Sequence, residues 1–253
     1  MLMQTPRCCR NFILSFVALA LMFWLYGCGH GQLKEGGDQD SLDKFAATYV
    51  KFREALEAAK VPAYAMLLDQ GAPAADENLT YYRRSYMRAL DTKVSSKKRA
   101  EAAREAVEYF TTKSSPVMQD FDKDNETLDA SSLELIQRAN AIREDRYRKQ
   151  AIRIADAARK NQQYLASLKS TAEDVYELQL QVMKKIAEQE GDLNRALPGM
   201  KDGINEMHKL SARVHEFVQK EQDGTKTVQE QYAAFKGMTG VTLDYNEPSA
   251  NRQ

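Results

Sequence analysis

The stretch Tyr147–Ile186, YRKQAIRIADAARKNQQYLASLKSTAEDVYELQLQVMKKI, decides the fold. Within it Tyr147, Ala151, Ile154, Ala158, Asn161, Leu165, Leu168, Ala172, Val175, Gln179, Val182 and Ile186 alternate steps of four and three without a miss. Such spacing keeps one side of an α-helix turned toward a partner helix. It predicts one long helix with a coiled-coil-like seam. Ser170-Thr171, with Glu173 and Asp174 behind it, has the chemistry of a new helix start, but no Gly or Pro forces a break there.

Upstream, Leu135, Ala139 and Ile142 fall out of this register, because Ile142 to Tyr147 is a step of five across the charged Arg143-Glu144-Asp145-Arg146. A bend, a change of partner helix or a break is expected there. Ser131 and Glu134 have capping-box spacing, so a helix is expected to start at Ser131, after Pro116 and a short acidic loop. Downstream, Gly191 and Leu197-Pro198-Gly199 close the long helix. A further helix over 200–222 carries Ile204, Met207, Ser211, Val214 and Val218 and is expected to stop at Asp223-Gly224. A short last helix holds Val228, Tyr232 and Phe235, and residues 237–253 read as a loose tail.

The front half follows the same logic. Leu42, Phe45, Tyr49, Phe52, Leu56 and Ala59 place an apolar stripe on a helix that ends or kinks at Val61-Pro62. A short segment from Tyr64 to Leu68 stops at Gly71, and Ala72-Pro73 begins a turn. One helix is expected over 77–111, led by Leu79, Tyr82, Tyr86 and Ala89 and continued by Ala100, Ala103, Val107 and Phe110. Between the two sets the register falls on Lys93 and Ser96, so its middle is weakly buried or meets a polar partner. No stretch alternates with period two for long enough to be a strand. The expected fold is all-α: an elongated antiparallel helical bundle with coiled-coil-like seams over residues 41–236.

Residues 1–27 have a different character. Arg7 and Arg10 precede a charge-free run over 12–26, and Gly27 precedes Cys28, which is the order of a secretory signal peptide. As a membrane-spanning helix the run is short. Leu25-Tyr26-Gly27-Cys28 resembles the lipobox of bacterial lipoproteins, matching at Leu25, Gly27 and Cys28, with Tyr26 bulkier than the small residue usual at that place. The resemblance implies cleavage before Cys28 and lipid, palmitate included, on its thiol. Residues 28–40 would then be the modified cysteine and a glycine-rich flexible tether. Gly29 rather than Asp after the cysteine resembles the pattern which that family uses for outer-membrane delivery. The body resembles, in organisation only, all-helical envelope lipoproteins of unknown function.

The cysteine count agrees. Of the three cysteines, Cys8 and Cys9 lie in the segment removed, so Cys28 would otherwise be an orphan exported thiol and no internal disulfide can form. A second reading keeps the apolar run as an anchor, with Cys8-Cys9 palmitoylated and glycans at Asn78 and Asn125. Cleavage removes two arginines and none of the 36 acidic residues, leaving a slightly acidic body. That balance argues against a general nucleic-acid binder.

Motifs for chemistry are sparse. Asp120, Asp122, Asp124 and Glu126 alternate like the start of a calcium loop, but Ser131 stands where the bidentate Glu belongs. A solvated acidic loop is the preferred reading and no resident metal is expected. A calcium-responsive envelope sensor at 120–126 is the alternative. His208 and His215, seven apart, are too far along a helix to share a metal. No phosphate loop or nucleophile motif occurs, so neither an enzyme nor a cofactor is expected. Residues 83–99 are strongly basic, and Arg146, Lys149, Arg153 and Lys160 share one arc of the long helix, opposite Tyr147, Ile154 and Ala158. That arc is either an ordinary wet face or a surface for lipid phosphates, anionic glycans or an acidic protein. The reading as a whole is a lipid-anchored, non-catalytic envelope protein facing the periplasm, acting on a protein partner or as a tether.

Overall fold

The computed structural model describes the backbone of residues 35–65, 77–113 and 115–245, with side chains described for 38–64, 81–112 and 121–245. The signal at 1–27, Cys28, the start of the tether, the turn at Ala72-Pro73 and the tail beyond 245 lie outside the described residues. The packing below is that of the unit Ser41–Gln253.

The described elements are helices, with no strand among the described residues. In chain order they are α1 Glu35–Ala65, α2 Glu77–Leu90, α3 Ser96–Lys113, α4 Ser115–Ala141, α5 Asp145–Glu188, the single turn α6 Leu193–Ala196, a 3₁₀ turn Pro198–Met200, and α7 Lys201–Thr239. The long helix expected from the seam is α5, 44 residues without interruption at Ser170-Thr171. Every seam residue from Ala151 to Ile186 is buried. A second row beside it, including Ala155, Gln162, Tyr176 and Met183, is buried as well, because α5 packs against neighbours on two sides.

Residue pairs fix the antiparallel arrangement. Gln150 donates to the Gln231 carbonyl and Asn161 bonds Thr225, so α5 and α7 form a long hairpin. Around its one half, α4 joins α5 through Asn125–Gln162, Asp129–Arg159 and Asp122–Lys169. In the same layer α1 joins α7 through the ring pairs Phe45–Phe235 and Tyr49–Tyr232. Around the other half sit α2 and α3, where Tyr82 and Phe110 surround Tyr176 and the Tyr86 hydroxyl reaches the Met207 sulfur. Two four-helix layers thus share one hairpin, and an all-α bundle results.

Several boundaries differ from expectation. The helix expected over 77–111 is two, separated at 91–95, where the Asp91 carboxylate accepts from the Lys93 N–H at 2.8 Å and the Val94 N–H returns to the Asp91 carbonyl. This side-chain turn falls where the register landed on Lys93 and Ser96, and it lets α2 fold back on α3 with Tyr81 stacked on Tyr109. The helix expected to start at Ser131 begins a whole length earlier, at Ser115, so Ser131 and Ser132 bond back to the Leu128 and Asp129 carbonyls rather than capping anything. Phe121, Leu128, Ser132, Leu135 and Ala139 form its buried seam, and Ile142, just past its end, is buried as well. The break expected near 143–146 is present, at Ile142–Glu144.

The helix expected to stop at Asp223-Gly224 continues to Thr239, absorbing the short last helix. Buried Glu221 and partly buried Thr225 occupy the seam positions between Val218 and Val228, so the step of ten hid an intact register. At the front, α1 already begins at Glu35, inside the stretch read as tether, and runs through Pro62 to Ala65. Pro62 sits in the last turn, so only three helical residues follow the backbone N–H bond that it removes. The tail is folded as far as it is described: Gly240, in the left-handed region at φ 73°, ends α7, and Val241 is buried beneath it.

At the far end of α5, Gly191 (φ 76°) accepts from Arg99 Nε at 2.8 Å through its carbonyl. A Cβ there would collide with the Ser96 carbonyl and come 2.9 Å from the Ala100 nitrogen. Glycine is required both for the left-handed turn and for docking the start of α3.

Candidate functional site

The buried chemistry of the body is a polar layer across α1, α5 and α7. Glu221 is fully buried on α7. Its carboxylate accepts from the Tyr64 hydroxyl at 2.6 Å and the Thr225 hydroxyl at 2.6 Å, and pairs with Lys60 Nζ at 3.1 Å. The Asn161 amide donates to Thr225 Oγ1 at 2.9 Å and, more weakly, to Glu221 at 3.4 Å. Lys60 in turn donates to Thr225 and to Glu57. Burial first, and the hydrogen bond to Glu221 second, push the Tyr64 hydroxyl well above the ordinary tyrosine range. Each charge faces an opposite charge or a donor inside the bundle. Such a layer penalises any slip of one helix against another, since a one-turn shift would strand Glu221 among apolar groups.

Asn161 explains Gly224. A Cβ at residue 224 would come 2.9 Å from Asn161 Cγ and nearer still to its Oδ1. That oxygen is buried with no hydrogen-bond partner among the described residues, and the glycine Cα–H lies over it. Thus Gly224 is a packing seat within a helix, not its end.

The residues singled out from sequence are placed as follows. Asp120–Glu126 lie in α4, a helix rather than a loop. On a helix, positions two apart point some 200° away from each other, so the turn a calcium loop needs is absent from this stretch. Asp122 instead pairs with Lys169, and Asp124 and Glu126 are partly or fully exposed. The side chain of Asp120 lies outside those described. No group of three or more His, Cys, Asp or Glu able to hold a metal occurs among the described residues. His208 and His215 are exposed on α7, the latter's Nδ1 2.7 Å from the Ser211 carbonyl.

Arg146, Lys149, Arg153 and Lys160 are all exposed on α5, and Lys149 alone among them has an ion-pair partner among the described residues, Asp145 at 4.0 Å. Arg83, Arg84, Arg88, Lys93, Lys97 and Lys98 are also exposed around the α2–α3 turn. Two surface pockets open beside α7. One of about 350 Å³ is lined by Tyr49, Arg53, Lys236 and Asp244, and one of about 250 Å³ by Lys160, Asn161, Tyr164 and Lys220. Sequence reasoning singled out neither pocket: Arg53 and Lys236 lie on different helices, and only the fold brings them together.

Comparison with known proteins adds no relative: no family model, no curated protein and no solved structure matches the chain. Among the described residues no helix is long and apolar enough to cross a membrane. The class the fold defines is an all-helical bundle with a buried polar layer.

Proposed function

We propose that this chain is a lipid-anchored, non-catalytic helical protein of the bacterial envelope that works by binding a partner or by tethering. The observation that carries the reading is Leu25-Tyr26-Gly27-Cys28 at the end of an uncharged apolar run, with Cys28 the one thiol left in the mature chain. Thioether formation there disposes of a reactive exported cysteine. Gly29 favours delivery to the outer membrane, facing the periplasm. The non-catalytic part is supported by the pair Lys60 and Glu221, which are held by each other and by Thr225.

The test is metabolic labelling with a palmitate analogue. Wild type should take up label and run as a chain lacking residues 1–27, whereas Cys28→Ala should be unlabelled and keep the precursor mass. Equal labelling of the two would refute the anchor. Crosslinking in native envelope, followed by purification of the anchored protein, addresses the partner: a stoichiometric companion is expected, and its absence argues for a tether alone.

A further inference from the structure

The segment after α7 is not idle. Beyond Gly240 the chain turns back, buries Val241, and passes over α1 and α7, where the Tyr232 hydroxyl donates to the Leu243 carbonyl at 2.8 Å. Asp244 then pairs with Lys236, and the Tyr245 ring lies 5.0 Å from the Arg53 guanidinium carbon. Beneath this strap is the pocket of about 350 Å³, with the stacked Tyr49 and Tyr232 rings, 3.6 Å apart, as an aromatic wall. Arg53 is 1% exposed at its floor. The volume is that of a small-molecule site, and its lining combines aromatic surface with a few directed charges.

The strap presents a carboxylate and an aromatic ring side by side, one to Lys236 and one to Arg53. Its outer side faces solvent: residues 242–244 are exposed, and the Asp244 side chain is 61% exposed in its ion pair. Exposed pairs of this kind are weak, and a segment tethered to the same chain competes through effective concentration rather than through tight contact. A free molecule with the same two features satisfies the same two cations without ordering a peptide.

We propose that the Arg53–Lys236 pocket is a binding site for a small aromatic carboxylate, and that Asp244 with Tyr245 is the tenant such a ligand displaces. The ligand carboxylate takes the place of Asp244 on Lys236, and its ring lies against Arg53 and the Tyr49–Tyr232 wall. The site and its strap stand independently of the lipid anchor.

The competing tenant gives the test its sign. Isothermal titration of the full-length chain with 4-hydroxyphenylacetate, and with the neutral 4-hydroxyphenylacetamide as control, is compared across variants. Wild type should bind the acid at least tenfold more tightly than the amide. Asp244→Asn, which loosens the tenant, should tighten acid binding about threefold or more, while Lys236→Gln should weaken it about tenfold, the size expected for one charge-assisted hydrogen bond. Lys236→Arg, which keeps the charge, should stay within about threefold of wild type and carries the argument if Lys236→Gln loses its helical far-ultraviolet spectrum. The proposal is overturned by no binding to either wild type or Asp244→Asn, by equal binding of acid and amide, or by an Asp244→Asn variant that binds no more tightly than wild type.

Discussion

Gly224 of α7 is seated directly on the Asn161 side chain of α5, with no room for a Cβ between them. In the middle of a helix, glycine to alanine ordinarily stabilises by about 1 kcal/mol. Here the added methyl meets a buried amide, and overpacking of this kind costs about 1–3 kcal/mol. Gly224→Ala is therefore expected to lower stability by about 1 kcal/mol in urea unfolding, and Asn161→Ala in the same chain should recover part of that loss. A more stable Gly224→Ala protein would show that the two helices do not approach as described.

The polar layer makes a second prediction. Glu221→Ala leaves Lys60, Tyr64 and Thr225 facing an empty site, and breaking a buried pair from one side costs about 3–5 kcal/mol. Replacing both charges, Lys60→Met with Glu221→Leu, should cost clearly less than Glu221→Ala alone. If denaturant midpoints place the double variant lower than the single one, the layer contributes attraction and not merely register.

Alkaline stability follows from the tyrosines. Burial holds the Tyr64 and Tyr232 hydroxyls protonated above the free tyrosine value of 10.0. In the unfolded chain both lose their protons near 10.0, while in the folded chain they keep them, so the unfolded state binds fewer protons above that pH. Their contribution is complete below 10.0 and drains away as pH rises beyond it. Tyrosinate absorbance should show late-titrating groups that ionise only with unfolding, these two among them. Tyr64→Phe and Tyr232→Phe should each remove one, and early titration of both would contradict their burial.

The legible part of this fold was the part where apolar residues fill nearly every register position. α5 was readable from Ala151 to Ile186 because only Asn161 and Gln179 interrupt it, and a stripe so long tolerates two amides. α7 was not, because Glu221 and Thr225 fill two successive seam positions and Gly224 lies between them, which imitates a helix stop. The start of α4 was hidden in the same way, by a carboxylate-rich outer face and by Ser131, whose capping-box spacing is incidental. Periodicity reports burial of hydrocarbon and is blind to a buried charge that has found its partner. The pocket at Arg53 was invisible for a different reason, since its residues come from opposite ends of the chain.

Arg146, Lys149, Arg153 and Lys160 lie on the solvent side of α5, so changing all four to Glu should leave the helical spectrum nearly unchanged, Glu being about as good a helix former as Lys or Arg. At low salt the unlipidated body, residues 29–253 with its arc unchanged, is expected to sediment only weakly with anionic vesicles. Tight binding that the charge-reversed variant loses would make this arc the partner surface; loss of helicity would show the arc to be paired inside the fold.

Because α1 lies along α7 from Phe45–Phe235 to Tyr64–Glu221, the first of the described helices has the last one as its mate. Synthesis runs from the amino end, so α1 is made long before residues 221–235 follow. Closure of that layer must wait for the carboxyl end to arrive. Until then Lys60 has no Glu221, and Phe45 has no Phe235, so this layer closes only with the final turns of α7.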